Sequence, residues 1–81
     1  MKTAKYFSAI WCGPCKQFKP LMADLLDEGY SIDFIDVEED KQATIEYNIE
    51  SVPTTIIMDG DEEVNRIVGI RSREEIIKEL S

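Results

Sequence analysis

A change of hydrophobic period within the first 27 residues narrows most what this chain can fold into. Residues 4–9 alternate loosely and include Tyr6 and Phe7, the pattern of a strand. From residue 15 to residue 27 the apolar side chains are Phe18, Leu21, Met22, Leu25 and Leu26. Their spacing of i, i+3, i+4, i+7, i+8 marks the core-facing side of a helix. Residues 31–37 carry Ile32, Phe34, Ile35 and Val37 and read as a second strand, largely buried. Strand, helix and strand in so short a span require a parallel pair joined by a right-handed crossover.

The rest of the chain completes a small α/β unit. Residues 41–47 form a short helix, and the β-branched run 54–58 a third strand. Asp59, Gly60 and Asp61 signal a turn, so residues 64–68 return as the fourth strand of a hairpin. Ser72 with Glu75 three residues later fits a capping box, and the helix after it turns Ile76, Ile77 and Leu80 inward. Gly29 is placed to stop the first helix. The order βαβαββα predicts a mixed four-stranded sheet flanked by helices. With 81 residues and neither linker nor repeat, residues 1–81 read as a single domain.

Charge then excludes whole classes of function. The formal net charge is −8, from 17 acidic and 9 basic residues, with no histidine. Nucleic-acid binding needs cations to neutralise phosphates, and an anionic membrane surface repels this balance. Without histidine the commonest general base and metal ligand is missing. No apolar run approaches the ~20 residues that span a bilayer. Residues 1–8 lack a signal-peptide layout, so the sequence reads as cytoplasmic. Between Asp33 and Glu63 the single basic residue is Lys41, the pattern of a solvated acidic face that disfavours acidic partners.

The chemistry lies in Trp11-Cys12-Gly13-Pro14-Cys15, between the first strand and the first helix. That position puts Cys12 near a helix N-terminus, where free backbone N–H groups favour a thiolate. The two-residue spacer lets Cys15 reach Cys12, and Pro14 suits a first helical turn. Cys12 is the expected attacking thiolate and Cys15 the expected resolving thiol. A zinc site is the competing reading of such a pair, but two cysteines and no histidine cannot supply four ligands within one chain. A site bridging two chains stays open.

These residues resemble the thioredoxin family, whose WCGPC string stands unaltered at residues 11–15. Pro20 matches the proline inside the family's active-site helix. Val52-Pro53-Thr54 matches its cis-proline loop, and Gly69 the glycine beside its substrate groove. The resemblance covers nearly the whole chain but lacks the N-terminal strand and helix of longer members, giving the minimal, glutaredoxin-sized form. It implies a protein-disulfide reductase whose only redox group is the Cys12–Cys15 disulfide, with no cofactor or metal. Trp11, Gly13, Pro14, Val52, Pro53, Gly69 and Ile70 would form the substrate-docking patch. Its implied partners are disulfide-containing proteins, with ribonucleotide reductase a candidate, and a donor of the thioredoxin-reductase type. A monomer is the default for this size and fold.

One departure stands out. The family's buried aspartate, six residues before the first cysteine, is replaced by Tyr6, and its partner lysine by Phe34. A phenol, with an ordinary pKa of about 10, is a poor base at neutral pH, so Cys15 is expected to lose its proton to water or to the leaving substrate thiolate. A glutathione-dependent, glutaredoxin-like enzyme is the alternative, although Gly13-Pro14 and residues 69–72 differ from the motifs of that family. An oxidant or isomerase lacks the expected spacer histidine. A non-catalytic docking subunit would not need two cysteines.

Overall fold

In the computed structural model, which describes residues 2–81, the expected elements form in the expected order. Strand β1 (Lys2–Ser8) leads through helix α1 (Gly13–Asp27) to β2 (Ile32–Asp36). Helix α2 (Lys41–Glu46), strands β3 (Thr54–Asp59) and β4 (Glu62–Val68), and helix α3 (Arg73–Leu80) follow. The sheet order is β2-β1-β3-β4. β1 pairs in parallel with β2, bringing Tyr6 beside Phe34, and antiparallel with β3, bringing Tyr6 beside Thr55. β3 and β4 close the sheet as a hairpin with a bulge at Ile57/Met58. Its two-residue loop has a positive φ at Gly60 and not at Asp61, the pattern of a II′ turn that suits strand twist.

Side chains alternate across a strand, so β1 feeds two separate cores. Ala4 and Tyr6 face α1 and α3, where they pack with Phe18, Met22, Leu25, Ile57 and Ile76. Phe7 faces the other way and joins Ile56 and Met58 under α2, with Ala43, Tyr47 and Ile49 partly buried around it. The first core supplies most of the large, fully buried side chains.

Helix ends are fixed by local chemistry. The Cys12 side chain caps α1, and Pro14 lies in its first turn. At the other end Gly29 adopts φ +105°, Gly29 N–H donates to the Leu26 carbonyl, and Tyr30 N–H to the Leu25 carbonyl. This is a Schellman closure, open to glycine at little strain. Asn48, at φ +53°, closes α2 the same way, with Ile49 N–H donating to the Thr44 carbonyl. Ser72 Oγ caps α3 by accepting from Glu75 N–H at 3.2 Å, the expected half of a capping box. The Glu75 carboxylate turns to the Ser72 hydroxyl at 3.2 Å instead of to its backbone.

Three sequence expectations are corrected. β1 runs from Lys2 to Ser8, leaving Ala9 to begin the loop that carries the cysteines. β2 is an edge strand, so Asp33 and Phe34 are exposed instead of largely buried. Leu26, counted with the core-facing stripe, is exposed because the stripe drifts off the core in the last turn of α1.

Candidate active site at the Cys12–Cys15 turn

The site begins with a strand that ends and a helix that starts. Beyond Ser8 the chain turns through residues 9–12, with Cys12 N–H donating to the Ala9 carbonyl at 3.2 Å. Cys12 takes extended backbone angles (φ −87°, ψ 113°) as the cap of α1, and its Sγ accepts from Cys15 N–H at 3.1 Å. One helix donor that would otherwise lack a partner is thereby aimed at sulfur. Cys12 and Cys15 are joined in a disulfide, their Cα atoms 5.3 Å apart. Both are buried, at 5% and 2% exposure, against Ala9, Val37 and Val52.

The Val52–Pro53 peptide is cis, and the Val52 carbonyl oxygen lies 3.7 Å from Cys12 Sγ. Gly69 N–H donates to the Pro53 carbonyl at 2.8 Å. That bond holds the end of β4 beside the loop, with Gly69 at φ +93°, where a side chain would be strained. Trp11 is 65% exposed and faces outward. Gly13, Pro14 and Ile70 are exposed, Val52 is half-buried and Pro53 is buried. Cys12, Cys15, Val52, Pro53 and Gly69 are thus linked by contact or hydrogen bond, while Trp11, Gly13 and Pro14 surround them from the turn itself.

Beneath the turn, fully buried Tyr6 donates its hydroxyl to the Cys15 carbonyl at 3.2 Å. Phe18 and Phe34 meet its ring edge-on, each at 5.6 Å between centroids. Burial pushes the Tyr6 phenol up to about 12, so at neutral pH it donates and cannot accept a proton. Sequence reasoning registered Tyr6 as a replacement but not this link. The inward position of Tyr6 on β1, beside a helix whose first turn crosses it, was the available signal.

Two recesses flank the disulfide. A broad cleft of about 490 Å³ reaches Cys15 between Ile10, Lys16, Lys19, Phe34 and Glu39. A smaller groove of about 130 Å³ lies on the Cys12 side, lined by Trp11, Val37, Thr44, Ile49, Glu50 and Val52. Thr44, Ile49 and Glu50 were not anticipated, because only tertiary folding brings the end of α2 to the cis-proline loop. Among the described residues, no group of three or more His, Cys, Asp or Glu could hold a metal ion. No helix among them is long and apolar enough to cross a membrane.

Comparison with known proteins agrees with this geometry. A family model described as Thioredoxin matches residues 4–81. Thioredoxin H-type 1 of Nicotiana tabacum is 36% identical over 70 residues, covering 84% of this chain and 56% of its own length. The bifunctional thioredoxin reductase/thioredoxin of Mycobacterium leprae (strain TN) is 32% identical over 78 residues, covering 93% of this chain and 17% of its own. The solved structure of a point mutant of thioredoxin from Halobacterium salinarum NRC-1 superimposes with a TM-score of 0.89 at 26% identity, over 98% of this chain and 71% of that one. The chain spans a little over half the length of the plant thioredoxins it matches. With its fold, its CxxC turn and a family match over nearly all its residues, the chain belongs to the thioredoxin family.

Proposed function

We propose that this protein is a protein-disulfide reductase that works by dithiol–disulfide exchange through Cys12 and Cys15. The observation that carries this reading is the placement of Cys12 Sγ. It caps α1, accepts the Cys15 N–H, and lies against the Val52 carbonyl of the cis-proline loop. A helix N-terminus favours the thiolate over the thiol.

In the reduced protein the Cys12 thiolate attacks one sulfur of a substrate disulfide. A bond forms between Cys12 and that sulfur, the substrate S–S bond breaks, and the second substrate sulfur leaves as thiolate to take up a proton. Cys15 then loses its proton, and its thiolate attacks Cys12 Sγ. The Cys12–Cys15 bond forms, the mixed disulfide breaks, and the first substrate sulfur leaves to be protonated. Two electrons pass from the pair to the substrate, and the two protons its sulfurs take up balance the one that Cys15 loses and one from solvent.

The Cys15 proton cannot go to Tyr6, whose phenol is already protonated and held there by burial. The cleft beside Cys15 offers solvent as the acceptor, with the leaving substrate thiolate as the other. The release step therefore slows as pH falls, more steeply than in a thioredoxin with a buried carboxylate. Trp11, Gly13, Pro14, Val52, Pro53 and Gly69 form the docking patch, where backbone groups of Val52 pair with an extended substrate segment. Residues 1–81 act as one unit, a monomer in the cytoplasm. A reductase of the kind fused to thioredoxin in the Mycobacterium leprae relative recharges it. Ribonucleotide reductase is one candidate acceptor.

The test is a trapping experiment. Cys15→Ser should accumulate a mixed disulfide with a protein substrate at Cys12, and Cys12→Ser should neither trap nor turn over. Turnover that survives Cys12→Ser would overturn the reading, and turnover that requires glutathione would replace it with a glutaredoxin-type one.

A further inference from the structure

The groove on the Cys12 side has an electrostatic character that the disulfide chemistry does not require. Apart from Trp11, its walls come from the segment between β2 and β3. Between β2 and β3 that segment holds Glu38, Glu39, Asp40, Glu46 and Glu50 against the single cation Lys41. Glu50 itself lines the groove together with Trp11 and Val52. Its side chain is exposed, and among the described residues no basic group forms an ion pair with it. Arg66 feels the Glu50 charge, but both oxygens of Glu63 already hold that guanidinium at 2.9 Å. The cleft on the Cys15 side is different, because Lys16 and Lys19 there face Asp36 and Glu39 and leave no single sign.

We infer that Glu50 is a specificity-determining residue, selecting substrate segments that carry a lysine or arginine next to the reacting cysteine. The inference rests on the reductase reading. A segment whose cysteine reaches Cys12 must pass the Val52 carbonyl, 3.7 Å from Cys12 Sγ, and so lies along the groove that Glu50 borders. Trp11, Val37, Ile49 and Val52 accept the aliphatic stem of such a side chain, and Glu50 meets its charged end. An acidic neighbour would face Glu50 without compensation. Partly exposed ion pairs are weak, so the selection is modest, about two- to five-fold per charge at low salt.

The experiment compares disulfide-linked homodimers of one short capped peptide, its cysteine flanked on both sides by lysine or on both sides by glutamate. The readout is the ratio of kcat/KM for the two peptides within each variant, so any loss of overall activity cancels. Wild type should prefer the lysine peptide, and raising salt from about 0.05 to about 0.5 M should shrink the preference. Glu50→Gln should lower the ratio about two- to five-fold, and Glu50→Lys should lower it further. Glu74→Gln, on α3, removes the same charge elsewhere and should leave the ratio unchanged. An equal ratio in wild type and Glu50→Gln, or an equal fall in Glu50→Gln and Glu74→Gln, would overturn the inference while leaving the reductase reading intact. Absence of turnover on both peptides and on the neutral hydroxyethyl disulfide would overturn both.

Discussion

The two faces of the sheet are built to different depths. On one, α1 and α3 cover Ala4, Tyr6, Phe18, Met22, Leu25 and Ile76, all nearly inaccessible to water. On the other, α2 is a six-residue helix with no fully buried residue, laid over Phe7, Ile56 and Met58. The thicker face anchors the redox turn, because α1 begins at the Cys12 cap and Tyr6 reaches up to the Cys15 carbonyl. The thinner face supplies the groove, through Val37, Thr44, Ile49 and Glu50. Tight packing is thus concentrated under the sulfurs, and the groove lies on the lightly packed side.

The largest test of this contrast is a pair of truncations. Phe18→Ala on the thick face should destabilise the protein by about 3–5 kcal/mol in denaturant unfolding. Tyr47→Ala on the thin face loses a half-buried ring 5.8 Å from Phe7, and about 1–2 kcal/mol is expected. Equal losses would break the comparison.

A smaller effect, of opposite sign, belongs to Thr55. It is fully buried on the thick face between Tyr6 and Ile67, and its hydroxyl finds no hydrogen-bond partner among the described residues. Thr55→Val keeps the shape and removes that hydroxyl, so a gain of about 1 kcal/mol is expected. A loss of stability would mean the hydroxyl is satisfied.

Tyr6→Phe gives an effect of similar size at neutral pH, a loss of about 1 kcal/mol for one hydrogen bond. Its pH dependence is more informative. The folded-state pKa of Tyr6 is raised to about 12 from an ordinary value of 10.0, so the folded state holds its proton more tightly than the unfolded chain. The resulting stability is complete below pH 10 and is lost as pH rises through about 12. Phenylalanine does not titrate, so the wild-type advantage should shrink across that window in unfolding curves. A constant gap would place the phenol in contact with solvent.

Much of this was legible in the sequence, for identifiable reasons. The stripe from Phe18 to Leu25 specified α1, and Gly29 and Ser72 marked helix ends, because each is a local signal. Pro53 and Gly69 were recognisable by family pattern, and one hydrogen bond joins them in the fold. The edge position of β2 was not legible, since four apolar residues in seven look the same in a buried strand and in one covered on a single face. Asn48 closes α2 in a conformation more often taken by glycine, just past the end at residue 47 expected from the sequence. The groove beside Glu50 joins Trp11 to residues 37–52, segments far apart in the chain, and needed the fold itself.

The central claim is that the Cys12–Cys15 pair is poised to give electrons to other proteins. The most direct measurement is the reduction potential of that couple, by equilibration against a defined thiol–disulfide buffer. The account predicts a value near the roughly −270 mV known for thioredoxin. A value of about −180 mV or above would mean that the pair prefers to oxidise or shuffle disulfides, and would contradict it.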